Sequence, residues 1–93
     1  MLQSNEYFEG KVKSVAFQSP DLPATVGVME AGEYNFSTSQ REYMTVVNGK
    51  LTVLLPNSKD WEDFTDGQTF VVEANQKFDL KVDSDTAYLC KYE

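Results

Sequence analysis

Met44-Thr45-Val46-Val47-Asn48-Gly49-Lys50-Leu51-Thr52-Val53-Leu54-Leu55 is the stretch whose reading decides the fold class. Met44 and Val46 on one side, and Leu51, Val53 and Leu55 on the other, recur with the period of two that sends alternate side chains to one face of a strand. Between them Asn48-Gly49 has the composition of a type I′ hairpin turn, in which both central residues take positive φ. The stretch therefore predicts a β-hairpin.

The same grammar extends both ways. Short runs rich in β-branched and aromatic residues predict strands at residues 11–17, 25–30, 32–38, 43–47, 50–55, 69–72, 77–82 and 86–92. Turn chemistry separates them, at Glu30-Ala31-Gly32-Glu33, at Pro56-Asn57-Ser58-Lys59-Asp60, at Asp66-Gly67 and at Asp83-Ser84-Asp85. Residues 18–24, with two prolines and Asp21, read as a loop. Almost nowhere does a period of 3.6 appear, so the expectation is an all-β sandwich or barrel.

A chain of 93 residues has room for one core, so residues 1–93 form one domain and any site lies in or on it. So small a domain buries a modest share of its surface, and a homodimer interface is expected to add stability. Fifteen acidic against eight basic residues, a net charge of −7, argue against a nucleic-acid polymer as partner. A small anion is still allowed, because a few converging donors hold it locally. The single cysteine, Cys90, makes no intrachain disulfide, which fits the cytoplasm, and neither a signal peptide nor a membrane-spanning run is legible. There is no histidine, so no His-ligated metal and no His-activated nucleophile.

Glu42, with Gly49 six intervening residues later, and the stretch Gly32-Glu33-Tyr34-Asn35-Phe36-Ser37-Thr38 before it resemble the first cupin motif; Asp66-Gly67-Gln68-Thr69-Phe70-Val71-Val72-Glu73 resembles the second, with Glu73 where proline is usual. The resemblance implies a cupin-like, jelly-roll β-barrel. Metal-binding cupins carry histidines where this chain has Asn35, Ser37 and Phe78, so the expectation is no metal and no cofactor.

A narrower resemblance spans nearly the whole chain, through Met1-Leu2-Gln3-Ser4-Asn5-Glu6-Tyr7-Phe8, Gly10-Lys11-Val12-Lys13-Ser14, the segment 32–38, Met44-Thr45-Val46 and Leu89-Cys90-Lys91-Tyr92. These residues are similar to the short bacterial pyrimidine/purine nucleoside phosphorylases. The resemblance implies phosphorolysis of diverse nucleosides, with inorganic phosphate as co-substrate, to a free base and ribose 1-phosphate.

Alternation places Tyr34, Phe36 and Thr38 on one strand face and Tyr88, Cys90 and Tyr92 on another; each row either lines a pocket or fills the core. With Phe78 they are the candidate nucleoside-binding residues, Cys90 being read as inert packing. Glu42 is the candidate catalytic residue, orienting ribose hydroxyls or protonating the leaving base, against the reading of a solvated strand-end charge. Phosphate would call on cations, among Lys11, Lys13, Arg41 and Lys91, with Lys13 and Lys91 inside the resembling segments. Trp61 with Phe64 either caps a barrel end or serves an interface. A non-catalytic nucleoside- or sugar-binding module is the alternative to an enzyme.

Overall fold

The computed structural model describes residues 1–93, and its regular structure consists of ten strands and no helix. They are β1 (Gln3–Tyr7), β2 (Val12–Gln18), β3 (Pro23–Met29), β4 (Gly32–Ser37), β5 (Glu42–Asn48), β6 (Lys50–Leu54), β7 (Glu62–Thr65), β8 (Thr69–Val72), β9 (Lys77–Val82) and β10 (Thr86–Tyr92). All eight expected strands form. The two extra ones, β1 and β7, are edge strands of mainly exposed polar residues, Gln-Ser-Asn-Glu-Tyr and Glu-Asp-Phe-Thr. They are held by backbone pairing to β2 and β6, and because almost nothing in them is buried, no apolar alternation announces them.

The all-β expectation holds, but the closed barrel is corrected. The strands form two antiparallel sheets, a six-stranded one in the order β1-β2-β3-β10-β5-β8 and a four-stranded one in the order β4-β9-β6-β7. Val12, Met29, Val46 and Cys90 of the first sheet join Leu51, Val53, Phe78 and Leu80 of the second in one apolar cluster. The sheets therefore bury their inner faces against each other, in the manner of a jelly-roll sandwich.

The hairpin at Asn48-Gly49 is corrected too. β5 pairs with β10 and β8, whereas β6 pairs with β9 and β7, so the Asn-Gly step carries the chain from one sheet to the other. Of the two turn residues only Gly49 has positive φ, at 120°. Apolar alternation declares which face of a strand is buried but not which strand lies beside it, and both readings put Met44, Val46, Leu51 and Val53 inside. Tertiary contacts clamp the crossing: the Gly49 N–H donates to Asp66 Oδ1 at 2.7 Å, and a Cβ on Gly49 would lie 2.5 Å from Thr86 Oγ1. The 18–24 loop shrinks to Ser19–Leu22, because Gln18 and Pro23 already pair.

Because Gly49 combines a left-handed φ with a close approach that leaves no room for a methyl group, Gly49→Ala is expected to destabilise the fold by about 2–4 kcal/mol in urea unfolding. A loss below about 0.5 kcal/mol, the range of ordinary surface changes, would show that the crossing is not a constraint.

Candidate functional site

A cavity of about 220 Å³ opens between the sheets. From the four-stranded sheet Phe36 and Ser37 of β4 and Phe78 of β9 reach it. The opposite wall comes from five strands: Tyr7, Ser14, Thr25 with Met29, Glu42 with Met44, and Tyr88, Cys90 and Tyr92 of β10. The Phe36 and Phe78 rings stack at 5.8 Å and 25°. Glu42 is the one charged group in the wall, and no lysine or arginine lines it.

Room for Tyr88 is made by a residue the sequence reading passed over. Ser14, Gly27 and Tyr88 are register neighbours across β2, β3 and β10, and a Cβ on Gly27 would lie 2.7 Å from the Tyr88 hydroxyl oxygen. Tyr92 Oη and Thr25 Oγ1 share a hydrogen bond of 2.9 Å, and the Cys90 thiol donates to Glu42 Oε1 at 3.5 Å.

Burial of Glu42 raises its carboxyl above the usual 4.5, opposed only by the hydrogen bond from Cys90. Burial pushes Tyr88 up to about 12 and raises Cys90 and Tyr92 as well, with the Glu42 charge adding to all three. At neutral pH the wall therefore presents protonated hydroxyls, an unreactive thiol and one poorly solvated carboxyl group.

Of the residues singled out from sequence, Phe36, Glu42, Phe78, Tyr88 and Tyr92 converge on this cavity. Tyr34 shares the inner face of β4, yet its ring is covered by Phe8 at 5.0 Å and its hydroxyl donates to the Glu30 carbonyl at 2.7 Å. Thr38 is buried outside the cavity, donating to the Glu73 carbonyl at 2.7 Å and accepting from the Gln76 N–H at 3.0 Å.

The two lysines point away, since alternation sends Val12 and Ser14, and likewise Cys90 and Tyr92, inward. Lys13 pairs with Glu6 at 3.4 Å, and Lys91 with Asp21 at 3.1 Å. The Ser19 hydroxyl and then Lys91 hold Asp21 down to about 2, which ties Lys91 to the β2–β3 turn. Arg41, one residue before Glu42, is held outside by Glu73 and Glu93, each at 2.9 Å. Trp61 lies half-exposed under Lys81 Nζ, 4.2 Å from the ring centre, while Phe64 packs on Phe70 at 4.8 Å. The residues missed, Ser14 and Thr25 above all, carried one legible signal: a hydroxyl at an inward position of an otherwise apolar strand.

The family model for pyrimidine/purine nucleoside phosphorylases matches residues 2–92. The chain belongs to that family. A relative from Saccharophagus degradans, named pyrimidine/purine nucleoside phosphorylase, is 64% identical over 92 residues, covering 99% of this chain and 98% of its own. Among solved structures, a protein of unknown function from Vibrio parahaemolyticus superposes with a TM-score of 0.95 at 44% identity, over 100% of this chain and 99% of the other. An RmlC-like cupin from Shewanella frigidimarina matches at a TM-score of 0.75 and 18% identity over 94% of this chain and 79% of its own, which makes the fold cupin-like. The family's name carries nucleosides and phosphate as its substrates.

A carboxyl raised by burial stabilises the fold only while protonated. That contribution is complete below the unfolded value near 4.5 and is lost as the pH rises through the higher folded value, above which the ionised Glu42 is a net cost. Glu42→Gln is therefore expected to melt at or above the wild type at pH 7, with the difference vanishing as the pH falls below about 4.5. A melting temperature lowered by more than ~4 °C at pH 7 would mean that the ionised carboxylate has a stabilising partner.

Proposed function

We propose that this chain catalyses metal-independent phosphorolysis of purine and pyrimidine nucleosides in the cytoplasm. The C1′–N bond breaks with its electron pair going to the base, a phosphate oxygen bonds to C1′, and base and ribose 1-phosphate leave. The observation that carries this reading is the cavity itself, whose lining combines one half-buried carboxyl group, Glu42, with two stacked phenyl rings. Phe36 and Phe78 offer hydrocarbon faces to any base, which makes the choice of base broad. Glu42 holds ribose hydroxyls or, with its raised pKa, protonates the departing base. Positioning two substrates in a preorganised pocket supplies much of the rate.

Phosphate falls to the hydroxyl side chains among the lining residues, Ser14, Thr25 and Ser37; Lys13 and Lys91 reach it only by leaving their carboxylates. The donor set supports independence of metal, since no three His, Cys, Asp or Glu side chains gather in one place. A non-catalytic nucleoside-binding module is favoured by one specific feature, the lack of a cation in the wall where a dianion must sit.

Incubation of uridine and adenosine with phosphate separates the two readings. The expected result is phosphate-dependent release of base that survives EDTA and falls at least ~10-fold in kcat in Glu42→Gln, the common cost of losing a positioned acid or acceptor. Saturable binding without turnover would make the chain a binding module.

We further propose a homodimer formed through the outer face of the six-stranded sheet. Val26 and Val28 of β3 are 43% and 48% exposed there, and in register beside them lie Val15, Leu89 and Ala87. Val47, on the bulge opposite Ala87 and Tyr88, extends the patch at 52% exposure. An apolar strip at the centre of a sheet face matches a self-complementary two-fold interface. Light scattering is expected to give twice the monomer mass, reduced to one by Val26→Glu with Val28→Glu; a wild-type monomer at every concentration refutes it.

A further inference from the structure

The cavity holds a carboxylate without a counter-ion. Glu42 forms none of the salt bridges of the chain, all of which lie on its exposed surface, and its one side-chain hydrogen bond comes from a thiol, at 3.5 Å. The rings of Phe36, Phe78, Tyr88 and Tyr92 line the same cavity. A half-buried carboxylate in a cavity lined by aromatic rings is a receptor for a cation: the charge offsets the poor solvation of the carboxylate, and ring faces attract it through their quadrupoles. The net charge of −7 draws cations to the molecule and repels phosphate from it.

We propose that the favoured substrates at this site are cationic N-ribosides, in which the base carries a fixed positive charge, as in N7-alkylated purine or N-ribosylpyridinium compounds. The inference rests on the phosphorolysis proposed above and names its substrate class. A cationic base brings the missing positive charge into the wall, opposite Glu42 and beside the incoming phosphate. It also removes the need for a general acid. When the C1′–N bond breaks, its electron pair neutralises the ring nitrogen and the base departs uncharged, while a phosphate oxygen forms the new bond to C1′; no proton has to be delivered. That suits a chain with no histidine, whose wall hydroxyls and thiol hold their protons firmly. For a neutral nucleoside, Glu42 in the acid role has to arrive protonated; for a cationic one it serves as a carboxylate.

A cationic base is also the intrinsically better leaving group, so the diagnostic quantity is binding rather than rate. Calorimetry without phosphate compares nicotinamide riboside, a cation, with its neutral dihydro form of nearly the same shape. The expected result is a Kd at least roughly tenfold lower for the cation, collapsing to within about threefold in Glu42→Gln. Phe36→Leu, which removes a ring and keeps the charge, is expected to reduce the preference part-way, and it serves as the independent check should Glu42→Gln fold poorly. Equal binding of the two forms by the wild type overturns the proposal, as does a preference untouched by both substitutions. Turnover of 7-methylguanosine and guanosine with phosphate is read separately. Phosphorolysis of guanosine without any calorimetric preference refutes the charge selectivity and leaves the phosphorylase intact; a calorimetric preference with no turnover of either nucleoside refutes the phosphorylase and upholds a receptor for cationic ribosides.

Discussion

Strand β10 is hydrogen-bonded along both edges, to β3 and to β5, so its inner face cannot turn away from the core. That face reads Thr86, Tyr88, Cys90, Tyr92, and every one of these side chains carries a heteroatom. A polar atom out of water costs free energy unless it is hydrogen-bonded, and the neighbourhood of β10 is arranged around meeting that demand. Thr86, fully buried, bonds the Lys50 and Ser84 carbonyls, and its bulk forces glycine at position 49. Tyr88 takes the space that Gly27 leaves open, next to Ser14. Cys90 donates to Glu42, and Tyr92 shares a bond with Thr25. No buried side-chain oxygen or nitrogen is left without a partner.

The cavity follows from the same constraint. Polar tips need room and specific partners, so around β10 the inner faces of the sheets do not close as tightly as they do at Leu51, Val53 and Leu80, where only hydrocarbon meets hydrocarbon. The four-stranded sheet contributes the flat walls, Phe36 and Phe78, and the six-stranded sheet contributes the chemistry. Glu42 enters at the first residue of β5, in register with Tyr92 and Val72, which gives it enough burial to lose solvation without the cation that such burial usually requires. All four ion pairs placed nearest to the candidate phosphate cations are exposed and structural in their geometry, worth little to stability and facing away from the cavity. The chemistry of the site thus rests on hydroxyls, aromatic faces and a single negative charge.

What this sequence determined by itself was the inward-facing rows of β4, β5, β6 and β10. Period-two alternation identified the strand faces that carry Tyr34 and Phe36, Met44 and Val46, Leu51 and Val53, and Tyr88 with Cys90 and Tyr92, because burial of apolar surface acts on each strand separately and so leaves its mark locally. The absence of histidine and the acidic balance were equally legible, being composition. The tertiary structure decided what depends on neighbours: that Asn48-Gly49 crosses between sheets instead of closing a hairpin, that polar β1 and β7 are strands at all, and that Glu42 shares a cavity with aromatic rings while Lys13 and Lys91 face solvent carboxylates. Backbone pairing is nearly independent of side chain, and a cavity is the meeting of residues from both sheets, so neither is written in the order of residues along one strand.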